Sequence, residues 1–464
     1  MPPVAGMRGA DDGLHVVVLG GGIAGLTAAY ALHRRAPQIR VTVVEASPAL
    51  GGALRTGELA GRPLETGADA FLARVPEGVG LCRELGLGDD VVSPATSTAA
   101  VWARGRLRPL PQRTHLGVPT SRRSLVRSRV LSPAGLLRAS VEPWVPGRPV
   151  DADVAVGALV ARRFGRSVAS TLVDPLLGGV YAGRADELSL DATLPAVATV
   201  ARAERSLLRG LPDPVTADDS PVFASVRGGL SRLVAALAQQ SGARVLLGTR
   251  AVLAERIGSG WRVTLAGGRA LIADAVVVAV PAPAAATLLR YAAPAAAAAL
   301  DSISYADVAI VGLAYPDSAL RRAPRSSGFL VPAGADRLVK ACTWASAKWP
   351  ELAGAGHLVR ASVGRAGESA AVDLDDADLV ARVHEELARY ARLRSGPVES
   401  TVTRWRAALP QYAVGHLDRV DAIERALAAQ PRLAVAGAAY RGVGIPACIR
   451  SGAGAASQVL ASLQ

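Results

Sequence analysis

The chain has 464 residues, half of them hydrophobic, which suits two or three intertwined domains better than one core. Its formal charge of +13 comes from arginine, with Lys340 and Lys348 the only lysines among 52 cationic side chains; with aromatics at 4% and no recognition motif, nucleic-acid binding is not expected, while a basic surface for other anionic partners stays open. Cys82, Cys342, Cys448 and six scattered histidines give no disulfide framework and no metal-ligand spacing, and they fit a reducing, cytoplasmic compartment.

Met1–Leu14 is short, polar and Gly-rich, and it reads as a disordered leader. His15–Leu19 is a continuous apolar run, read as a buried strand, and Gly20-Gly21-Gly22-Ile23-Ala24-Gly25 follows it. Leu26–Arg34 then reads as a helix. Strand, glycine turn and helix stand in the order that a dinucleotide fingerprint requires. Gly20 permits the tight turn, Gly22 lets the backbone approach a pyrophosphate, and Gly25 lets the helix pack closely on the strand. The helix start offers its free N–H groups to phosphates. A second strand, Arg40–Val44, ends at Glu45, followed by Ala46. An acid at this point accepts hydrogen bonds from ribose hydroxyls.

Leu50-Gly51-Gly52-Ala53-Leu54-Arg55-Thr56 comes next. Paired glycines let a second backbone segment lie on the diphosphate, and Arg55 can add a bidentate cation. The run resembles the extension found in the amine-oxidase superfamily of flavoproteins, and that resemblance implies FAD in place of NAD. From Glu84 to about Ala217 no nucleotide-binding feature occurs, and arginine is frequent: Arg104, Arg106, Arg108, Arg113, Arg122, Arg123, Arg127, Arg129 and Arg138. Two readings stay open for it: a solvated basic surface in an arginine-drifted chain, or a few arginines that bind carboxylates.

Val245–Val252, Trp261–Leu265 and Ala275–Val280 read as strands, with the backbone of Val252 offered to the adenine. The apolar stretch Ala275–Leu300 is broken by Pro281, Pro283, Arg290 and Pro294. It therefore falls short of the roughly 20 apolar residues that a spanning helix needs. Asp378–Tyr390 looks helical, and His384 within it reads as an ordinary surface histidine. At the far end Leu433–Gly437 reads as a buried strand, Gly442-Val443-Gly444-Ile445 as a turn, and Ile449–Leu463 as a small-residue-rich helix. A helix N-terminus aimed at a flavin pyrimidine would stabilise the charge that reduction leaves there.

Several further segments are similar to the protoporphyrinogen/coproporphyrinogen oxidase family. They are Gly67–Arg74, Asp174–Gly183 with Leu188-Ser189-Leu190, Lys340–Trp344 with Lys348-Trp349-Pro350, Pro410-Gln411-Tyr412 with Gly415-His416, and Tyr440–Pro446. They stand in family order from about His15 to the C-terminus. The resemblance implies an α/β fold in which a discontinuous FAD-binding Rossmann-like domain (15–83, 218–300, 426–464) joins an α+β substrate-binding domain (301–425) and a helical, membrane-facing-type insertion (84–217). It assigns Gly67, Ala68, Asp69, Ala70, Trp405, Gly437, Val443, Gly444 and Ile445 to the flavin, and Arg74, Lys340 and Gly179 to the substrate.

The activity implied is oxidation of a porphyrinogen in heme biosynthesis, in three two-electron rounds with O2 as acceptor and H2O2 released. Such chemistry asks for positioning more than for acid–base groups, and no general base is assigned. Coproporphyrinogen III, with four propionates, suits an arginine-rich chain; protoporphyrinogen IX, an amine or polyene substrate, and a non-enzymatic module like the GDP-dissociation inhibitors are the alternatives. The resemblance admits a membrane surface, met peripherally, and a downstream ferrochelatase as partners. Two departures matter. Asp69 stands where some relatives carry arginine. Ala438 and Ala439 precede Tyr440 with no cysteine, so the FAD is expected to be non-covalent.

Overall fold

The computed structural model describes residues 13–96, 98–145, 149–213, 221–334 and 337–464. The leader expected over Met1–Leu14 therefore lies, up to residue 12, outside the described residues, as does the end of the insertion at 217.

A five-stranded, all-parallel sheet is assembled from distant parts of the chain, in the order Arg244–Leu246, Arg40–Val44, His15–Leu19, Ala275–Val278, Leu433–Val435. Parallel strands covered on both faces need continuous apolar runs. Val16 and Val18 enter one core, with helices Ile23–Arg35 and Ile445–Leu463. Val17 and Leu19 enter a second core, with Trp261 and helices Ala282–Leu289 and Pro294–Asp301. The opening and closing helices touch through small residues: a Cβ on Gly452 would collide with the carbonyl oxygen of Ala24. The two ends of the sequence are thus packed into one unit.

A seven-stranded sheet forms the second layer, in the order Glu399–Pro410, Tyr305–Tyr315, His357–Val363, Val339–Trp344, Gly328–Leu330, Ala100–Ala103, Arg106–Pro109. One face buries Val339, Cys342, Trp344, Val359, Ala361 and Val363 under the helix Asp376–Ala391. Side chains alternate along a strand, so the opposite face carries Ala341, Thr343, Arg360 and Ser362, paired as Thr343 with Arg360 and Ala341 with Ser362. Among the described residues between 122 and 211 the regular elements are helices, and they have their own core, built around Leu125, Leu159, Phe164, Leu172, Leu177 and Val197. None of the helices among the described residues is long and apolar enough to cross a membrane.

The structure corrects three local expectations. Val245–Val252 is not one strand: a parallel strand ends at Leu246, Gly248 turns at φ +59°, and an antiparallel strand runs over Ala251–Ile257. The last helix begins at Ile445, not Ile449, because Gly444 caps it and Pro446 is tolerated in a first turn, where no N–H is required of it. His384 is half-buried, and its Nδ1 lies 3.0 Å from the Tyr315 hydroxyl.

Candidate functional site

The site is built first by the turn that leaves His15–Leu19. Gly20 takes φ +106°, and a Cβ there would lie 2.5 Å from the Ala279 carbonyl oxygen. A Cβ on Gly25 would collide with the carbonyl oxygen of Gly20, so helix and strand meet only because both residues are glycine. Gly22 differs. Its backbone is extended (φ −75°, ψ 177°), and nothing lies within 4 Å of where its Cβ would stand. The first bond closing the helix runs from Leu26 N to Gly22 O at 2.9 Å, leaving the end of the helix to face that space.

A second backbone segment borders the same space. Gly51 N donates to Gly21 O at 2.8 Å, Gly22 and Gly51 form an isolated parallel bridge, and a Cβ on Gly52 would stand 3.4 Å from Gly22 Cα. At the rim, the two carboxylate oxygens of Glu45 accept from Gly21 N and Ser47 N, each at 2.7 Å. Ala46 beside it is exposed. The main chain of Glu45 is held by Leu246 and Thr249, at 2.9 and 2.8 Å, which brings Val252 close by. Val252 sits where the ladder shifts between Ala251 and Leu253, so it has no cross-strand partner. Two glycine backbones, a helix start and an anchored carboxylate around open space can hold a diphosphate and a ribose.

The loop carrying Gly67, Ala68, Asp69 and Ala70 is pressed against this cradle. Ala68 N donates to Ala53 O at 2.9 Å, and a Cβ on Gly67 would collide with that same oxygen. Trp405 Nε1 donates to Thr66 O at 2.6 Å, and the Arg55 guanidinium lies 5.3 Å from the Trp405 ring centroid. Arg360 reaches across from the seven-stranded sheet to donate to the carbonyls of Gly67 and Glu65. Lys348 Nζ pairs with Asp69 Oδ2 at 2.8 Å. Burial alone would raise Asp69, but the Lys348 and Arg360 cations outweigh it and hold the carboxyl at about 2. Burial lifts the neighbouring Glu65 to about 7, against hydrogen bonds from Leu230 N and the Thr56 hydroxyl.

The closing end completes the arrangement. Gly437 (φ +126°) has nothing within 4 Å of a Cβ position, and its N–H donates to Ser451 Oγ at 3.0 Å. The Tyr412 hydroxyl accepts from Gly442 N at 2.7 Å and donates to Ala438 O at 2.6 Å, so it clamps the loop leading to Val443, Gly444 and Ile445. His416 stacks on Tyr412 with centroids 3.8 Å apart, and its Nε2 lies 2.8 Å from Tyr440 O. Burial pulls His416 down to about 4, so it is neutral and donates there. Gln411 Nε2 donates to Tyr181 O at 2.8 Å, and Tyr412 O accepts from Ser189 N at 2.7 Å, tying the clamp to the helical region.

The three residues assigned to substrate occupy different settings. Gly179 is exposed on the helix Asp174–Tyr181, and a Cβ there would stand 3.4 Å from Leu330 Cδ2 of the seven-stranded sheet. Arg74 is exposed in the turn before the helix Pro76–Glu84. Lys340 is 3% exposed and donates to Gly364 O at 2.8 Å. Burial, then repulsion from Arg365 and Arg360, lowers Lys340 to about 7. Sequence reasoning missed Arg360, one arginine among many. Its place opposite the buried alternation of Val359, Ala361 and Val363 was the available signal.

A family model described as "Flavin containing amine oxidoreductase" matches residues 23–460. The chain is 34% identical to the coproporphyrinogen III oxidase of Bacillus subtilis (strain 168), over 98% of this chain and 99% of that one. It is 38% identical to the coproporphyrinogen III oxidase of Mycobacterium leprae (strain TN), over 96% and 97%. A crystal structure from Exiguobacterium sp., provisionally named a protoporphyrinogen oxidase, superposes with TM-score 0.86 at 28% identity, covering 99% of this chain and 100% of that one.

Proposed function

Because the chain belongs to the flavin-containing amine oxidoreductase family, and within it to the coproporphyrinogen III oxidases, we propose that it uses non-covalent FAD to oxidise coproporphyrinogen III to coproporphyrin III. Gly20–Gly25 and Gly51–Gly52 would hold the diphosphate, Glu45 and Ala46 the ribose, and Val252 the adenine. Ala53, Arg55, Gly67–Ala70, Trp405, Gly437 and Val443–Ile445 would surround the flavin ring. The observation that carries this reading is the open space at Gly22, bordered by Gly52 and the anchored Glu45.

When bound, FAD supplies the two-electron acceptor for hydrogens leaving the porphyrinogen bridges. Removing six electrons takes three rounds and reduces three O2 to three H2O2. The protein's own work is positional. Arg360 and the Lys348–Asp69 pair fix the Gly67–Ala70 loop, and Tyr412 with His416 fixes the loop ahead of Gly444. The sheet face of Ala341, Thr343 and Ser362 would form one wall for substrate, with Gly179, on a helix beside Leu330 of the same sheet, at its edge. Arg74, exposed in its turn, would meet a propionate, whereas Lys340, buried with its Nζ on Gly364 O, would act indirectly by steadying the sheet beside that wall. Anaerobic mixing of the holoprotein with coproporphyrinogen III should bleach the flavin's visible absorbance and yield porphyrin fluorescence. A flavin that stays oxidised would overturn the proposal.

Peripheral contact with an anionic membrane is supported by the helical region. Val126, Leu137 and Trp144 are 52%, 67% and 63% exposed there, and the Arg122 guanidinium lies 4.4 Å from the Trp144 ring centroid. Exposed apolar tips beside arginines suit a headgroup boundary. The chain should co-float with vesicles containing phosphatidylglycerol, and Leu137→Ser with Trp144→Ser should abolish flotation. Flotation unaffected by both changes would refute this contact.

A further inference from the structure

Away from the cradle, a cavity of about 330 Å³ opens between the helical region and the edge of the seven-stranded sheet. Arg104 and Arg337 line it together with the hydroxyl-bearing residues Ser132, Ser167, Ser170 and Thr171. It shares no residue with the glycine cradle or with the sheet face assigned to substrate.

Local structure explains why these groups converge. Arg104 occupies a left-handed turn (φ +53°) joining the two edge strands Ala100–Ala103 and Arg106–Pro109. Its Nη1 donates to Leu131 O at 3.3 Å, and Arg337 Nη1 donates to Pro332 O at 3.0 Å. Each guanidinium has five N–H donors, so most of them remain uncommitted. No carboxylate among the described residues pairs with either arginine. The chain also makes a π-helical turn over Ala169–Val173, which carries Ser170 and Thr171. The Ser170 hydroxyl donates to Arg166 O at 3.0 Å, and Ser132 Oγ accepts from Gly135 N at 3.1 Å, leaving its proton to give.

The surroundings add charge of the same sign. Partial desolvation, then the neighbouring Arg104, Arg106 and Arg129, push the Arg108 guanidinium below its usual range. Cations held together without counter-charge raise the local potential, and a concave wall focuses it. A cation is repelled from such a cavity, and an apolar ligand would leave the remaining guanidinium N–H groups and the Ser132 hydroxyl without acceptors. What satisfies forked cations and hydroxyl donors together is an oxyanion.

We propose that this cavity binds a small molecule bearing oxyanion groups, a phosphate ester or a polycarboxylate, between Arg104 and Arg337, at a site separate from the flavin cradle. The inference goes beyond the oxidase reading and stands on different residues. Its volume falls at the lower end of the range of small-ligand pockets.

The test is calorimetric titration of the holoprotein with inorganic pyrophosphate and, separately, with citrate. One saturable site is expected, and the tighter probe identifies phosphate or carboxylate as the preferred chemistry. Arg104→Ala and Arg337→Ala should each weaken binding at least about tenfold, as loss of a charge-assisted pair implies. Thr171→Val, which keeps the side-chain shape, should weaken it less. Arg290→Ala, an exposed arginine over Tyr291 elsewhere on the surface, should leave binding unchanged. Retained flavin reports that each variant is folded. The proposal is overturned if neither probe binds at millimolar concentration, or if binding survives undiminished in both pocket arginine variants.

Discussion

Replacing Gly22 with valine should separate cofactor binding from folding. A Cβ at this position meets nothing within 4 Å, and the extended backbone accepts any residue, so the apoprotein should change by no more than about 0.5 kcal/mol. The added isopropyl group instead enters the space that the diphosphate needs. If two charge-assisted bonds from backbone N–H groups are lost, at roughly 1.5–3 kcal/mol each, FAD binding weakens by about 3–6 kcal/mol. That is about a hundredfold to ten-thousandfold in Kd. Gly25→Ala supplies the contrast, since its Cβ would collide with the Gly20 carbonyl and force helix from strand. Overpacking of this kind costs about 1–3 kcal/mol and should lower the apoprotein's Tm. The assay is titration of each apoprotein with FAD by flavin fluorescence, beside thermal melts without cofactor. A valine variant that keeps a full complement of flavin, or that melts as early as Gly25→Ala, would refute the cradle.

Other expectations follow from single side chains. Glu45→Gln retains one of two acceptors for the N–H groups of Gly21 and Ser47, and FAD affinity should fall by about tenfold to a hundredfold; an unchanged titration would remove Glu45 as the ribose ligand. Lys340, at about 7 against an ordinary 10.5, binds fewer protons folded than unfolded between those values, so stability should rise with pH across that window. Lys340→Met should therefore stabilise the protein at pH 7, by on the order of 4 kcal/mol at most, and the gain should vanish toward pH 10.5; an equal gain at every pH contradicts the burial argument. Asp69, held at about 2 against an ordinary 3.8, contributes stability present above pH 3.8 and lost as pH falls through 2. Asp69→Asn should cost about 2 kcal/mol at neutral pH, and adding Lys348→Met should recover part of it; a single variant as stable as wild type would show that the pair contributes nothing.

Features carried by local pattern were legible in the sequence. The apolar run before Gly20, the spacing of Gly20, Gly22 and Gly25, and the acid at the next strand end depend on a few neighbouring residues, and the structure sets that acid against the glycine turn through Gly21 N. What local pattern does not carry was missed or blurred. Lys348 and Asp69 pair across 279 positions, and nothing at either residue announces the other. Arg360 acts through backbone carbonyls of a loop nearly three hundred residues away, a role any arginine in an arginine-rich chain could have. The break after Leu246 depends only in part on the glycine that turns the chain: Gly248 N must also find Ser47 O, at 2.9 Å, in a different strand connection. His384 read as surface because its partner, Tyr315, sits on a strand far away in the sequence.

Coproporphyrinogen III carries four propionates, and a cationic chain should read them. The deciding measurement is kcat/KM for coproporphyrinogen III and protoporphyrinogen IX across a salt series in air, followed by porphyrin fluorescence. Exposed charge pairs are screened over about 8 Å at physiological salt. Coproporphyrinogen III should be the better substrate, and its kcat/KM should fall more steeply with salt. A preference for protoporphyrinogen IX with equal salt slopes would contradict the assignment.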